Sequence, residues 1–157
     1  MTALRANNKN PKKRITVLLA DDHKDLRKEL RMILDAESDI QVIGEAANGQ
    51  QAVDMAKKLR PAVVVMDISM PKLNGLDATQ QIRQDLPTTK VLICSAHSGE
   101  AYVESAMEVG ADGYINKLTS LDILVAAIRT VQKVNTFISP AIAKSFKKRT
   151  ALIPKAK

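Results

Sequence analysis

Hydrophobic and polar positions along the chain alternate between two kinds of segment. Short continuous apolar runs rich in valine and isoleucine are typical of buried parallel strands. Each run is followed by a segment whose apolar residues recur every three or four positions, which is typical of an amphipathic helix. The runs lie at 15–20, 40–46, 62–66, 90–94 and 113–116. Five strand–helix units in succession predict an α/β fold, namely a doubly wound five-stranded parallel sheet with helices on both faces.

Polar residues follow four of the five predicted strands at the point where each strand ends. Asp21 and Asp22 follow the first strand, and Asp67 follows the third. Ser95 follows the fourth strand, and Lys117 follows the fifth. Functional sites of doubly wound sheets lie beyond the carboxyl ends of the strands. We therefore expect three carboxylates, one hydroxyl and one ammonium group to converge on one edge of the sheet.

This set of side chains is suited to phosphoryl transfer with a metal ion. Three neighbouring carboxylates repel one another unless a cation neutralises them, and oxygen ligands suit Mg²⁺ or Mn²⁺. A phosphoryl group would complete the charge balance, because the metal, Lys117 and the Ser95 hydroxyl can meet its oxygens. A carboxylate can itself accept the phosphoryl group. Other phosphate sites are disfavoured, since the chain has no GxxxxGK[ST] loop and no GxGxxG after a strand.

The net charge of +7 belongs to the two ends of the chain. Residues 1–14 contain five basic and no acidic side chains, and residues 137–157 contain six basic and no acidic ones. All 17 acidic side chains lie in 15–136 beside 13 basic ones, so that part has a net charge of −4. We therefore predict a basic flexible extension at 1–14, a globular domain at 15–136 and a basic linker-like tail at 137–157.

Composition excludes several other classes of protein. Aromatic residues make up 3% of the chain, too few for a surface that stacks on the bases of single-stranded nucleic acid. The single cysteine, Cys94, excludes an intramolecular disulfide framework and a zinc cluster of cysteines. No apolar run approaches the ~18 residues of a membrane span, and the basic N-terminus lacks the apolar region of a secretory signal. A cytoplasmic location without membrane association is expected.

Four motifs at the ends of predicted strands give a more specific indication. They are VLLADDH at 17–23, VVVMDISMPKLNGLDA at 63–78, ICSAH at 93–97 and VGADGYINK at 109–117. In this order they resemble the receiver domain of two-component response regulators over about residues 15–136. The details are most similar to the subclass whose output is a LuxR-type helix-turn-helix domain. The resemblance implies a flavodoxin-like (βα)5 sheet with the strand order 2-1-3-4-5.

The resemblance also implies how the acidic residues act. Asp67 would be the phosphoacceptor. Asp22 and Asp67 would bind Mg²⁺ (or Mn²⁺) directly, together with the backbone carbonyl of Ser69. Asp21 would act through a coordinated water.

The remaining site residues would contact the phosphoryl group or respond to it. Lys117 would form an ion pair with the phosphoryl group. Ser95 would hydrogen-bond it and move toward it on activation, and Tyr114 would be the switch aromatic that rotates inward as Ser95 shifts. His23 and His97 are expected to be neither metal ligands nor phosphate carriers.

The resemblance names classes of partner as well. The phosphodonor would be a histidine kinase or a phosphotransfer protein, and the phosphorylated surface would bind a downstream partner protein. A homodimer formed on phosphorylation is a further expectation. The protein would be a phosphoacceptor with self-catalysed phosphoryl transfer and dephosphorylation, not a dedicated enzyme.

Two alternatives remain open. One is a fragment or member of a DNA-binding transcriptional regulator, whose helix-turn-helix output domain is missing from this sequence. Without that domain no specific nucleic-acid binding is expected. The other is a pseudo-receiver that serves only as a binding scaffold, which the intact set of site residues disfavours.

Overall fold

The computed structural model describes residues 13–119, 121–133, 136–138 and 142. Its strands are β1 (Ile15–Ala20), β2 (Ile40–Ala46), β3 (Val63–Met66), β4 (Lys90–Ser95), β5 (Gly113–Asn116) and β6 (Phe137–Ile138). Its helices are α1 (Lys24–Asp35), α2 (Gly49–Leu59), α3 (Gly75–Asp85), α4 (Glu100–Glu108) and α5 (Leu121–Val131). Within this described part, no helix is both long and apolar enough to cross a membrane.

The strands form one parallel sheet with the order β2-β1-β3-β4-β5-β6. This confirms the predicted doubly wound α/β fold and the predicted order of its five strands. The short strand β6 was not predicted. It pairs with β5 in the register Gly113↔Phe137 and Tyr114↔Ile138, so it covers the edge that β5 would otherwise expose.

The two faces of the sheet carry separate hydrophobic cores. Side chains of a strand alternate between the faces, so Leu18 packs in one core while Val17 and Leu19 pack in the other. Helices α2, α3 and α4 cover the face of Leu18, and helices α1 and α5 cover the opposite face. Because both faces are covered, the strand residues are mostly buried, and β1 and β3 can be almost continuously apolar.

Two asparagine side chains begin helices at the carboxyl-terminal edge of the sheet. Asn48 Oδ1 accepts a hydrogen bond from the N–H of Gln51 at 2.8 Å at the start of α2. Asn74 Oδ1 accepts from the N–H groups of Leu76 at 2.8 Å and Asp77 at 3.0 Å at the start of α3. Such caps satisfy N–H groups that have no partner inside the helix. They fix where the loops after β2 and β3 end.

The predicted basic ends lie mostly outside the described residues. Of the extension predicted at 1–14, only the last two residues are described. Of the tail predicted at 137–157, the described residues are Phe137, Ile138 and Ile142. These three belong to the folded part, since two form β6 and the side chain of Ile142 is buried in the same core as Leu18.

Candidate functional site

The five polar residues predicted to converge lie at the carboxyl-terminal edge of the sheet. Asp21 and Asp67 follow the neighbouring strands β1 and β3. Ser95 is the last residue of β4, and Lys117 follows β5. The side chains of Asp21 and Asp67 are 8% and 5% exposed, whereas that of Asp22 is 34% exposed. Two carboxylates are thus buried at this edge and the third faces the solvent.

Lys117 joins the two buried carboxylates. Its Nζ lies 2.9 Å from Oδ2 of Asp21 and 3.0 Å from Oδ2 of Asp67. Its single positive charge alone would suggest a pair with one carboxylate. The structure shows a bridge between two, because the parallel strands end at the same height and the long side chain reaches across the end of β4.

Burial and charge act in opposite directions on the protonation of this site. Burial raises the pKa of Asp67, and the nearby charge of Asp21 adds to the increase, whereas the hydrogen bond from Lys117 lowers it. Burial alone would lower the pKa of Lys117, but its hydrogen bonds to Asp21 and Asp67 outweigh that effect and raise it. Lys117 therefore stays positively charged. With all three carboxylates ionised, the site keeps an excess of negative charge that a further cation can neutralise.

Three carboxylates and one imidazole form a group of suitable size for a metal ion. One ligand atom each of Asp21, Asp22, His23 and Asp67 lies within 4.8 Å of all the others. The set is rich in oxygen and open to solvent on the side of Asp22, and Mg²⁺ prefers oxygen ligands and usually retains several waters. The residues present therefore fit the predicted magnesium site. Ser69, whose carbonyl is expected to be a further ligand, lies two residues after Asp67 in the same loop.

The loop after β3 brings its own backbone close to Asp67. A Cβ atom on Gly75 would lie 1.9 Å from the carbonyl oxygen of Asp67, so the position requires glycine. The N–H of Gly75 donates to the carbonyl of Ile68 at 2.7 Å. Lys72 adopts a φ of 70°, in the left-handed region. The loop is therefore a shaped turn that holds Asp67 and Ser69 at the edge of the sheet.

The hydroxyl groups of the site are held by hydrogen bonds to the backbone of His97. Ser95 Oγ accepts from the N–H of His97 at 3.0 Å, and the Tyr114 hydroxyl donates to its carbonyl at 2.5 Å. Tyr114 is fully buried, so its ring lies inward, and burial raises its pKa. The His97 ring contacts Ser69 Oγ at 3.3 Å and stacks on Tyr102 of α4, with ring centroids 4.2 Å apart. The switch role of Ser95 and Tyr114 stays a prediction.

Three residues that the sequence analysis did not single out hold the loop after β1. Arg27 of α1 donates from Nη1 to the carbonyl of Asp21 at 2.6 Å and from Nε to Glu45 at 3.1 Å. Arg31 donates to the other oxygen of Glu45 at 2.8 Å, and this hydrogen bond holds the pKa of Glu45 below its ordinary value. The i, i+4 spacing of the two arginines places them on one face of α1. That spacing was an available signal, but their partner on β2 could not be read from it.

The ring of His23 also lies at the site, where no role was predicted for it. Its Nδ1 lies 3.0 Å from Oδ1 of Asp21 and 3.2 Å from Oδ1 of Asp22. His23 is the N-cap residue of α1, yet its side chain makes no capping hydrogen bond. The ring is therefore directed at the carboxylates and not at the helix.

Sequence comparisons agree with this geometry. Residues 17–129 match the profile described as the response regulator receiver domain. The chain is 36% identical over 129 residues to the transcriptional regulatory protein DegU of Brevibacillus brevis, covering 82% of this chain and 55% of DegU. It is 35% identical over 135 residues to the response regulator protein VraR of Staphylococcus aureus, covering 86% of this chain and 65% of VraR. The chain thus spans between half and two thirds of the length of these relatives.

A solved structure shares the same architecture. The crystal structure of a two-component response regulator of the LuxR family from Aurantimonas sp. SI85-9A1 matches with a TM-score of 0.85 and 31% sequence identity. The match covers 88% of this chain and 99% of that chain. The likeness therefore extends over most of this chain.

Proposed function

Since the chain belongs to the response regulator receiver domain family, we propose that it is a phosphoacceptor of a two-component phosphorelay. Asp67 takes the phosphoryl group. The observation that carries this proposal is the position of Lys117, whose Nζ lies 2.9 Å from Asp21 and 3.0 Å from Asp67 at one edge of a parallel sheet. A buried carboxylate between a cation and a solvent-facing carboxylate has the charge environment that phosphoryl transfer requires.

The transfer uses the ionised carboxylate of Asp67 as nucleophile. One Asp67 oxygen attacks the phosphorus of a phosphohistidine on a histidine kinase or phosphotransfer protein. An O–P bond forms while the P–N bond breaks, and the electron pair of the broken bond returns to the donor's imidazole nitrogen. The hydrogen bond from Lys117 favours the ionised form of Asp67 against the effect of burial.

Two further side chains bind the transferred group. Lys117 Nζ forms an ion pair with a phosphoryl oxygen in place of its present contact with Asp67. It keeps its contact with Asp21. Ser95 donates its hydroxyl proton to another phosphoryl oxygen. Both contacts are charge-assisted hydrogen bonds, which are stronger than neutral ones.

The oxygen-rich cluster holds Mg²⁺ or Mn²⁺ in this proposal. Asp22, Asp67 and the Ser69 carbonyl are the direct ligands, and Asp21 acts through a coordinated water. The bound ion supplies Lewis-acid neutralisation of the phosphoryl oxygens. This proposed metal site is supported by the ligand atoms that lie within 4.8 Å of one another at a partly open edge of the sheet.

The switch and its output follow from the hydrogen bonds of the loop after β4. Ser95 and Tyr114 both bind the backbone of His97, so a shift of Ser95 toward the phosphoryl group alters the loop that leads into α4. The surface of α4, β5 and α5 then binds a downstream partner protein, with a phosphorylation-dependent homodimer as one form of output. The protein catalyses its own phosphorylation and dephosphorylation and is not a dedicated enzyme.

The proposal is tested by the intact mass of the protein after incubation with Mg²⁺ and a small acyl phosphate. The wild type should gain one phosphoryl group, and Asp67→Asn should gain none. Asp54→Asn is the matched control, since Asp54 is an exposed aspartate of α2 away from the site, and it should be phosphorylated normally. No gain in the wild type, together with no Mg²⁺ binding, would favour the scaffold alternative.

A second candidate function is supported by the relatives themselves. The chain spans 55% of DegU, whose name identifies a transcriptional regulatory protein. The chain would then be the receiver part of a DNA-binding regulator. The described residues contain no helix-turn-helix unit after α5, so we expect a gel shift with this chain to show no preferred DNA sequence at physiological salt. A preferred sequence would contradict this expectation and would mean that the chain itself carries DNA-binding residues.

A further inference from the structure

His23 lies among the carboxylates of the proposed metal site although most of its side chain faces the solvent. Its Nδ1 points back toward Asp21 and Asp22, at 3.0 and 3.2 Å from one oxygen of each. The N–H of His23 also donates to the same Asp21 oxygen at 2.8 Å. Backbone and ring are thus held by one carboxylate, which fixes the direction in which the imidazole points.

These separations suit two ligands of one metal ion. Ligands with bonds of about 2.1 Å lie about 3.0 Å apart at octahedral angles and about 3.4 Å apart at tetrahedral angles. The distances from His23 Nδ1 to Asp21 and Asp22 fall at 3.0 and 3.2 Å. A hydrogen bond has a similar length; as a metal ligand, Nδ1 would present its lone pair, with the ring proton on Nε2.

An imidazole ligand changes the ions that a carboxylate cluster prefers. Sites made only of oxygen suit Mg²⁺, whereas imidazole nitrogen suits the late first-row ions. We infer that His23 is an imidazole ligand, through Nδ1, for Zn²⁺, Ni²⁺ or Co²⁺ at the carboxylate cluster of Asp21, Asp22 and Asp67. This rests on the proposed function, because the same carboxylates hold Mg²⁺ there.

Zn²⁺ bound in this way would inhibit the phosphorylation of Asp67. A four-coordinate Zn²⁺ held by His23 and the three carboxylates would have no position left for a phosphoryl oxygen, as in closed structural sites. Zn²⁺ bound through His23 would therefore displace Mg²⁺ and block the phosphorylation of Asp67. Mg²⁺ prefers oxygen ligands, so its affinity should depend little on His23.

Few other side chains of the chain prefer such ions. The sequence contains two histidines and one cysteine. Burial raises the pKa of Cys94 to about 12, so its thiolate is disfavoured. His97 is not in the group of four candidate ligands, and its Nε2 contacts Ser69 Oγ instead. His23 is therefore the residue whose replacement should change the metal preference, and His97 is its natural control.

The test is calorimetric titration of untagged protein with Ni²⁺ and, separately, with Mg²⁺. We compare the wild type with His23→Gln and with the matched control His97→Gln. His23→Gln should bind Ni²⁺ at least about 10-fold more weakly and Mg²⁺ within about twofold of the wild type. His97→Gln should match the wild type for both ions. Equal Ni²⁺ affinity in the wild type and His23→Gln would overturn the inference.

A measurement on the wild type alone does not depend on the folding of a variant. Ring-nitrogen NMR with added Zn²⁺ should move the Nδ1 resonance of His23 and leave the ring of His97 unchanged. A shift confined to His97 would contradict the inference. In the phosphorylation assay with Mg²⁺, His23→Gln should need at least about 10-fold more Zn²⁺ for inhibition than the wild type.

The titrations separate this inference from the proposed function. A wild type that binds neither Mg²⁺ nor Ni²⁺ would overturn the proposed metal site and the role of His23 together. A wild type that binds Mg²⁺, with a Ni²⁺ affinity that does not depend on His23, would overturn the role of His23 alone.

Discussion

The two sides of Asp67 are held by different kinds of interaction. On the side of β1, which we call the charged side, Arg27 joins the carbonyl of Asp21 to the carboxylate of Glu45. On the side of β4, which we call the neutral side, Tyr114 is joined to the backbone of His97 by a hydroxyl. Hydrogen bonds to charged groups contribute about 1.5–3 kcal/mol, and neutral ones about 0.5–1.5 kcal/mol. The charged side is therefore the more firmly held.

The helix on the charged side is also more firmly packed than the helix on the neutral side. Helix α1 on the charged side buries Leu30 and Leu34. Helix α4 on the neutral side has nine residues and buries only Val103 and Ala106. Smaller buried side chains stabilise a helix less. The neutral side is thus easier to rearrange, as the proposed switch requires, while the charged side keeps the metal ligands in place.

The largest effect is expected where the two sides meet, at Lys117. Lys117→Gln removes the cation between Asp21 and Asp67, so phosphorylation by a small acyl phosphate should slow by about 10²–10³-fold, the typical loss for one such donor. Mg²⁺ affinity should rise at the same time, because the carboxylates lose their internal cation. Phosphoryl mass gain over time and calorimetric titration measure the two effects. Lys58→Gln on the surface of α2 is the control, and a Lys117→Gln rate within a few-fold of its rate would contradict the prediction.

The next effect is a weakening of the charged side by Arg27→Gln. Loss of the contacts to Asp21 and Glu45 should lower the free energy of unfolding by about 1.5–3 kcal/mol, and Mg²⁺ affinity by about 10-fold, because a positioning contact is lost. Chemical denaturation and metal titration measure these changes. Arg129→Gln is the matched control, since Arg129 also pairs with carboxylates but on the surface, where such pairs contribute about 0–1 kcal/mol. Equal effects of the two variants would show that the charged side has no special role.

The pH dependence of the charged side gives a smaller and more specific effect. The pKa of Glu45 is held below its ordinary value of 4.5. Its ion pairs therefore stabilise the fold above about pH 4.5 and are lost as the pH falls through the lower folded-state pKa. Glu45→Gln should be about 1 kcal/mol less stable than the wild type at pH 7, and the difference should shrink as the pH falls below 4.5. Denaturant titration measures the two stabilities. A stability difference between wild type and Glu45→Gln that stays constant from pH 7 to pH 3 would show that the ion pairs of Glu45 do not cause it.

The smallest effect is expected from Tyr114→Phe on the neutral side. The ring remains in the core while the hydroxyl bond to His97 is lost, so stability should fall by about 1 kcal/mol or less. Hydrogen exchange should increase in the loop after β4 and at the start of α4, and should not change in α1. Tyr102→Phe, which keeps the ring stacked on His97, is the control. Increased exchange in α1 would show that the two sides are not independent.

Much of the fold and of the site could be predicted from the sequence. The buried runs of β1 and β3 and the amphipathic helices specify a parallel sheet, because only a sheet covered on both faces buries such runs. A polar residue that directly follows a strand must then lie at the carboxyl-terminal edge of this sheet. This is why Asp21, Asp67 and Lys117 could be expected together before any contact was known. Their metal-binding and phosphoryl-transfer roles remain predictions.

Contacts that depend on the relative placement of distant segments could not be predicted. The two residues of β6 are too few to form a recognisable pattern, and they form a strand because the edge of β5 supplies the partner. A Cβ atom on Gly113 would lie 2.6 Å from the carbonyl of Phe137, so the close pairing also depends on a glycine more than twenty positions away. Likewise the side chain of Ile142 is buried only because it packs in the core of Leu18, which distant segments of the chain build together.

By itself the sequence determined the order of strands and helices and the set of chemical groups at their ends. Local periodicity and residue type are properties of neighbouring positions, and they carry this information directly. Only the tertiary structure decided that Lys117 bridges two carboxylates, that Arg27 reaches the carbonyl of Asp21, and that His23 turns toward the carboxylates and not toward its helix. These outcomes depend on distances of about 3 Å, the length of a hydrogen bond, between groups on different elements. Such distances are set by how the sheet and its helices pack together.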